Sequence, residues 1–206
     1  MADDLPPPRL LLVEGADDEH VVRQLCSRQT NMPHFDICDK RGFPNLKASI
    51  GPEIKASGRT ALGILVDAND DLTARRQAIA YRLRRAAAIN LPPPPAAQAG
   101  TVVDGTPRVG VWLMPDNQSA GELEDFIRKL IPAGDPVWPR AETYIDGILA
   151  DDRKFATEKM LRAKIHAWLA TRAEPRRMGS AIGVGDLNAN HPLSTQLVDW
   201  LRRLFG

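Results

Sequence analysis

LLLVEGADDEH, residues 10 to 20, is a short apolar run that ends in a glutamate and a glycine and then turns acidic. The apolar half predicts a buried strand. The acidic half predicts the opening of a helix, with Asp17, Asp18 and Glu19 in its first turn. The same pattern returns twice. ALGILVDAND (61–70) and VGVWLMPDN (109–117) are apolar runs closed by acids or turn residues, and HFDICDK (34–40) alternates like a half-buried strand nearer an edge. Between them, helical spacing is predicted over 17–28, 72–88 and 121–131; the last carries Leu123, Phe126, Ile127, Leu130 and Ile131 as one apolar stripe. Strand and helix in alternation predict an α/β fold with a doubly wound, mainly parallel sheet of about four strands.

LPPPPAAQAGTVVDGT (91–106) reads as a loop, because consecutive prolines suit neither a helix nor a central strand. Its role is either a surface spacer or a functional lid. Beyond residue 139 two helices are expected, about 152–172 and 194–205, around a glycine-bearing turn, MGSAIGVG. The 206 residues are therefore expected to form one domain, with a core over about 8–132 and a C-terminal helical extension over about 140–206.

In such a sheet, ligands bind outside the carboxyl ends of the strands. The first strand delivers Glu14 there, the second Asp67, Asn69, Asp70 and Asp71, and the third Asp116, followed by Glu122, Glu124 and Asp125. Helix capping and the macrodipole account for acids such as Asp17, Asp71 and Asp125. They do not account for Glu14 and Asp67, which precede the helices. Carboxylates ~4 Å apart repel by roughly 1 to 4 kcal/mol, so a divalent cation is the economical reason to gather them. A phosphate cradle is the competing reading of a glycine at a strand-to-helix turn, but GADDE would repel phosphate, and neither GxGxxG nor GxxxxGK[ST] occurs. An oxygen-rich set without a histidine pair or thiolate favours Mg²⁺ or Mn²⁺.

LLLVEG with Glu14 and ILVDAND with Asp67 and Asn69 resemble the TOPRIM domain of topoisomerases, primases and overcoming-lysogenization-defect nucleases. Asp18, four residues after Glu14, and the spaced pair Glu122 and Glu124 in GELEDF are similar to the nuclease version, and WLMPDN and KIHAWLA resemble small bacterial TOPRIM-like proteins. The resemblance implies a TOPRIM/Rossmann-like sheet and Mg²⁺- or Mn²⁺-dependent phosphodiester cleavage of DNA or RNA. It also implies Glu14, Asp18, Asp67, Asn69, Glu122 and Glu124 as metal ligands, Glu14 and Asp67 in the catalytic centre, and an ABC-type ATPase as a possible partner. Asn69 departs from the second acid of the D-x-D motif, which leaves a non-catalytic interaction subunit as the alternative.

A cation near the developing charge is expected from Lys164 in AKIHAWLA, or that lysine is a solvated helix residue. Arg176 and Arg177 beside the glycine turn are candidate phosphate contacts, and the arginines of ARRQAIAYRLRRAA either track a phosphate backbone or form a solvated face. His20, His34, His166 and His191 have no metal-ligand spacing, and no serine sits in a GxSxG elbow. Cys26 and Cys38 are too few for a disulfide framework. With neither a signal-like start nor a run of ~20 apolar residues, the expected setting is the cytoplasm, with no membrane partner.

Overall fold

A computed structural model describes residues 6–94 and 99–206. The start of the chain on which the signal-peptide reading rests, residues 1–5, and the middle of the proline-rich loop, 95–98, lie outside the described residues. The chain folds as β1 (Arg9–Val13), α1 (Ala16–Ser27), β2 (Asp36–Asp39), α2 (Phe43–Ile54), β3 (Ala61–Asp67), α3 (Leu72–Ala87), β4 (Thr101–Val103) and β5 (Arg108–Met114). Helices α4 (Leu123–Leu130), α5 (Trp138–Asp146), α6 (Met160–Leu169), α7 (Met178–Val184) and α8 (Pro192–Phe205) follow. The sheet order is β2-β1-β3-β5-β4. The first four strands pair in parallel, and β4 adds an antiparallel edge. This is an α/β, Rossmann-like architecture.

Strand periodicity divides the core into two layers. Leu11, Val13, Leu65, Trp112 and Met114 face α1, α4 and the C-terminal helices, whose Ile165, Trp168, Leu197 and Trp200 join the same apolar cluster. Leu10, Leu12, Ile64, Val66, Val111 and Leu113 face α2 and α3. Gly63 and Gly110 sit side by side in paired register on β3 and β5. A Cβ at Gly63 would lie 3.0 Å from Leu204 Cδ2, and one at Gly110 2.6 Å from the same atom, so the missing side chains let α8 pack close on the sheet.

Three expectations change. The segment 91–106 is not all loop, because Thr101–Val103 pairs with β5 once the prolines are passed. MGSAIGVG is not a turn: Met178–Val184 is helical, and only Gly185, at φ 89°, turns the chain. The helix expected over 152–172 is shorter, with α6 beginning at Met160 after two short 3-10 turns. Among the described residues no helix is long and apolar enough to cross a membrane.

Candidate acidic site

The carboxyl ends of β1 and β3 deliver Glu14 and Asp67 to one edge of the sheet, and α1 and α4 begin beside them. Backbone donors stitch these acids to neighbouring elements. Glu14 Oε1 accepts from the Asp67 N–H at 3.1 Å, and Asp67 Oδ1 accepts from the Leu123 N–H at 2.9 Å. Asp18 Oδ2 accepts from the Gly15 N–H at 3.0 Å, closing the first turn of α1. Asp18 is 5% exposed, and its Oδ1 is buried with no hydrogen-bond partner.

Mutual repulsion is written into the protonation of the cluster. Burial first, then the charges of Glu14, Glu124 and Glu122, push Asp67 up to about 7. Burial and the neighbouring Asp67 and Glu14 raise Asp18 well above the usual carboxylate range. Glu14 is raised by burial against the pull of Arg75 and of the Asp67 N–H, and Glu124 by burial against its own backbone N–H and Arg162.

Cations from distant parts of the chain meet the rim of the cluster. Arg75 of α3 lies 3.7 Å from Glu14 Oε1. Lys159, just before α6, binds Glu122 at 3.0 Å. Arg162 of α6 bridges Glu124 at 3.0 Å and Asp17 at 2.8 Å, and Arg177 holds the other Asp17 oxygen at 3.1 Å. A cleft of about 520 Å³ opens beside them, lined by Asn69, Glu122, Glu124, Glu158 and Arg162 among others.

Of the residues expected at the site, Glu14, Asp18, Asp67, Asn69, Glu122 and Glu124 come together at this edge. Asn69 has φ 50° and exchanges two 2.8 Å backbone hydrogen bonds with Gly121, so it clasps the β3 end to the loop before α4. With its amide oriented to satisfy both neighbours, the nitrogen donates to Glu122 and the oxygen accepts from Arg75. Lys164 is engaged elsewhere, on Asp146 of α5 at 2.8 Å. Arg176 binds the Glu174 carbonyl and lies 3.4 Å from Asp186.

Asp116 forms a turn lock instead of joining the cluster. Asp71 and Asp125 are helix caps, accepting from the Ala74 and Glu122 N–H groups. Nothing in the sequence ties Arg75, Lys159 and Arg162 to these acids beyond the spacing of Lys159 and Arg162, one helical turn apart.

The donor set suits a hard divalent cation: oxygen ligands in excess of local positive charge, with one buried carboxylate oxygen unmatched. Among the described residues no three His, Cys, Asp or Glu side chains converge as ligands of one ion.

No curated protein and no solved structure compared with this chain matches it. A family model described as "Protein of unknown function (DUF3226)" matches residues 8–206, and the chain belongs to that family.

Proposed function

We propose that this protein is a divalent-metal-dependent phosphodiesterase of the TOPRIM type that cleaves DNA or RNA at the acidic edge of the sheet. The observation that carries the reading is the buried, unpartnered Asp18 Oδ1 within a cluster of mutually destabilised carboxylates. Glu14, Asp18, Asp67, Glu122 and Glu124 would hold Mg²⁺ or Mn²⁺. A bound ion supplies an activated water and neutralises charge on the phosphate oxygens. Glu14 and Asp67 hold their orientation through backbone N–H groups, which keeps two ligands positioned before loading. Arg75, Lys159 and Arg162, which already meet Glu14, Glu122 and Glu124, would be the cations at hand for the phosphate. By resemblance, an ATPase partner and a cytoplasmic setting belong to the same reading; the free thiols Cys26 and Cys38 suit that compartment.

A second reading, a non-catalytic interaction subunit, is favoured by Asn69, whose amide is spent on Arg75 and Glu122. One experiment separates them. Mn²⁺ should raise the melting temperature of the wild type by mass action. Glu14→Gln should lose that shift and all metal-dependent cleavage while remaining folded. Wild-type protein that neither gains stability from millimolar Mn²⁺ nor cuts any strand, with or without an ATPase, would favour the subunit.

A further inference from the structure

The outer face of α3 carries a feature that the acidic site does not use. Ile79 and Leu83 point into the core, whereas Tyr81, Arg82, Arg84 and Arg85 are exposed, the tyrosine at 53%. Helical spacing puts Arg84 and Arg85 one turn after Tyr81 on the same face, with Arg82 flanking it. Many guanidinium groups of this protein meet a carboxylate, as Arg23, Arg59, Arg162, Arg172 and Arg202 do. Arg82, Arg84 and Arg85 meet none among the described residues.

The helix macrodipole accounts for Arg84 and Arg85 in the last turn. It accounts neither for Arg82 nor for the exposed ring, nor for the groove beside it. That groove, about 340 Å³, is lined by Gln77, Tyr81, Arg84, Asn90 and Leu91. Arg76 anchors the chain just after Leu91, donating to the Pro92 carbonyl at 2.5 Å and to Thr101 Oγ1 at 3.2 Å.

We propose that this face docks single-stranded nucleic acid, the arginines on phosphates and Tyr81 against an unstacked base in the groove. The inference rests on the nucleic-acid reading above for the class of substrate and adds the surface and the strand form. Unpaired guanidinium groups around an exposed ring match a chain whose charges alternate with flat bases. A duplex keeps its bases stacked and would leave the ring idle. An acidic peptide would satisfy the arginines without using the ring for stacking. The position also serves the site: Arg75, on the same helix, reaches Glu14, and Arg85 lies about 15 Å further along the axis. A strand following α3 runs toward the acids.

The test is fluorescence anisotropy of a labelled oligothymidylate against the full chain in EDTA, where no metal-dependent reaction runs. Binding is thereby scored independently of cleavage. The combined variant Arg82→Ala, Arg84→Ala, Arg85→Ala should flatten the slope of log affinity against log salt by about 2, close to 0.7 for each lost single-strand contact. Tyr81→Ala should weaken binding roughly tenfold with the slope unchanged. All four side chains are exposed, and circular dichroism should report folded variants. Strand binding that depends on these residues in a protein that never cuts would uphold the docking surface and refute the nuclease. The proposal is overturned if wild type binds no strand at low salt, or if the variants bind as wild type does. Duplex binding as tight as the single strand and indifferent to Tyr81→Ala, or displacement by polyglutamate at equal charge, would overturn it as well.

Discussion

Asp67 and Asp116 end or follow neighbouring strands, β3 and β5, and in sequence they look alike. Their surroundings differ completely. Asp116, 1% exposed, accepts from the backbone N–H groups of Gln118 and Ser119, from the Ser119 hydroxyl and from Lys129 at 2.9 Å. Against the upward push of burial, Lys129 and those N–H groups hold its carboxyl below the usual range. Asp67 accepts one backbone N–H, faces three glutamates and is pushed up to about 7. An acid at a strand end is therefore no site by itself. What marks a site is carboxylate charge that the protein leaves uncompensated.

The largest break in this comparison should come from Asp116→Ala. It strands two backbone donors and removes the partner of Lys129, costing about 2 to 4 kcal/mol. Thermal unfolding should show a drop of roughly 5 to 15 °C, with or without divalent metal. An unchanged melting temperature would mean that the turn is not a lock.

Asp67→Asn should do the reverse in metal-free buffer. At pH 8 it relieves a frustrated charge and should stabilise by about 1 to 2 kcal/mol, within the roughly 4 kcal/mol limit that a rise from 3.8 to about 7 allows. The sign follows from linkage. Between the unfolded and folded pKa values the native state holds a proton that the unfolded state has lost, so metal-free stability falls as pH climbs from about 4 toward 7. Asp116 runs the other way, its contribution present above its unfolded pKa and lost as pH drops through its lowered folded value. Metal-free wild type should therefore melt highest in mildly acidic buffer, and Asp67→Asn should flatten the alkaline side of that profile. A wild-type profile flat from pH 5 to pH 8 would contradict the pH argument.

Asn69→Asp should be subtler. It forfeits the amide donated to Glu122 and adds a charge facing Arg75, so metal-free stability should change by less than about 1 kcal/mol. Titration calorimetry should show Mn²⁺ binding roughly tenfold tighter, since the variant adds a carboxylate beside Glu122 at the edge of the acidic cluster. The smallest effect should be that of Lys164→Ala, below about 0.5 kcal/mol for its pair with the half-exposed Asp146, with the metal-induced shift in melting untouched.

Much of the fold was legible because buried strands write themselves as apolar runs: β1, β3 and β5 fall where those runs are, and β2, the parallel edge strand, falls in the alternating segment 34–40. Helix α2 was hidden by Pro44, Gly51 and Pro52, which look like loop composition, although Pro44 sits in the first turn where no N–H is needed. Helix α7 was hidden by glycines that serve packing. A Cβ at Gly179 would lie 2.7 Å from the His20 ring, and one at Gly183 2.4 Å from Gln24, so these glycines let α7 approach α1.

The acids were legible from their places at strand ends and helix starts. Their cations were not, because Arg75, Lys159 and Arg162 arrive from elements whose packing only the tertiary fold decides. Lys164 shows how near a miss can be. It stands two residues from Arg162, which on a helix points the two side chains away from each other, so one reaches Glu124 and the other Asp146.

Each deep acid at this edge spends one oxygen on a backbone N–H: Glu14 on Asp67, Asp67 on Leu123, Asp18 on Gly15. An amide of the same shape would keep that oxygen while discarding the charge. Selection on folding alone would thus tolerate Glu14→Gln, Asp18→Asn or Asp67→Asn more readily than any larger exchange at these positions. Carboxylate-to-amide exchange at these three positions across relatives is the quickest index of which members need the charge.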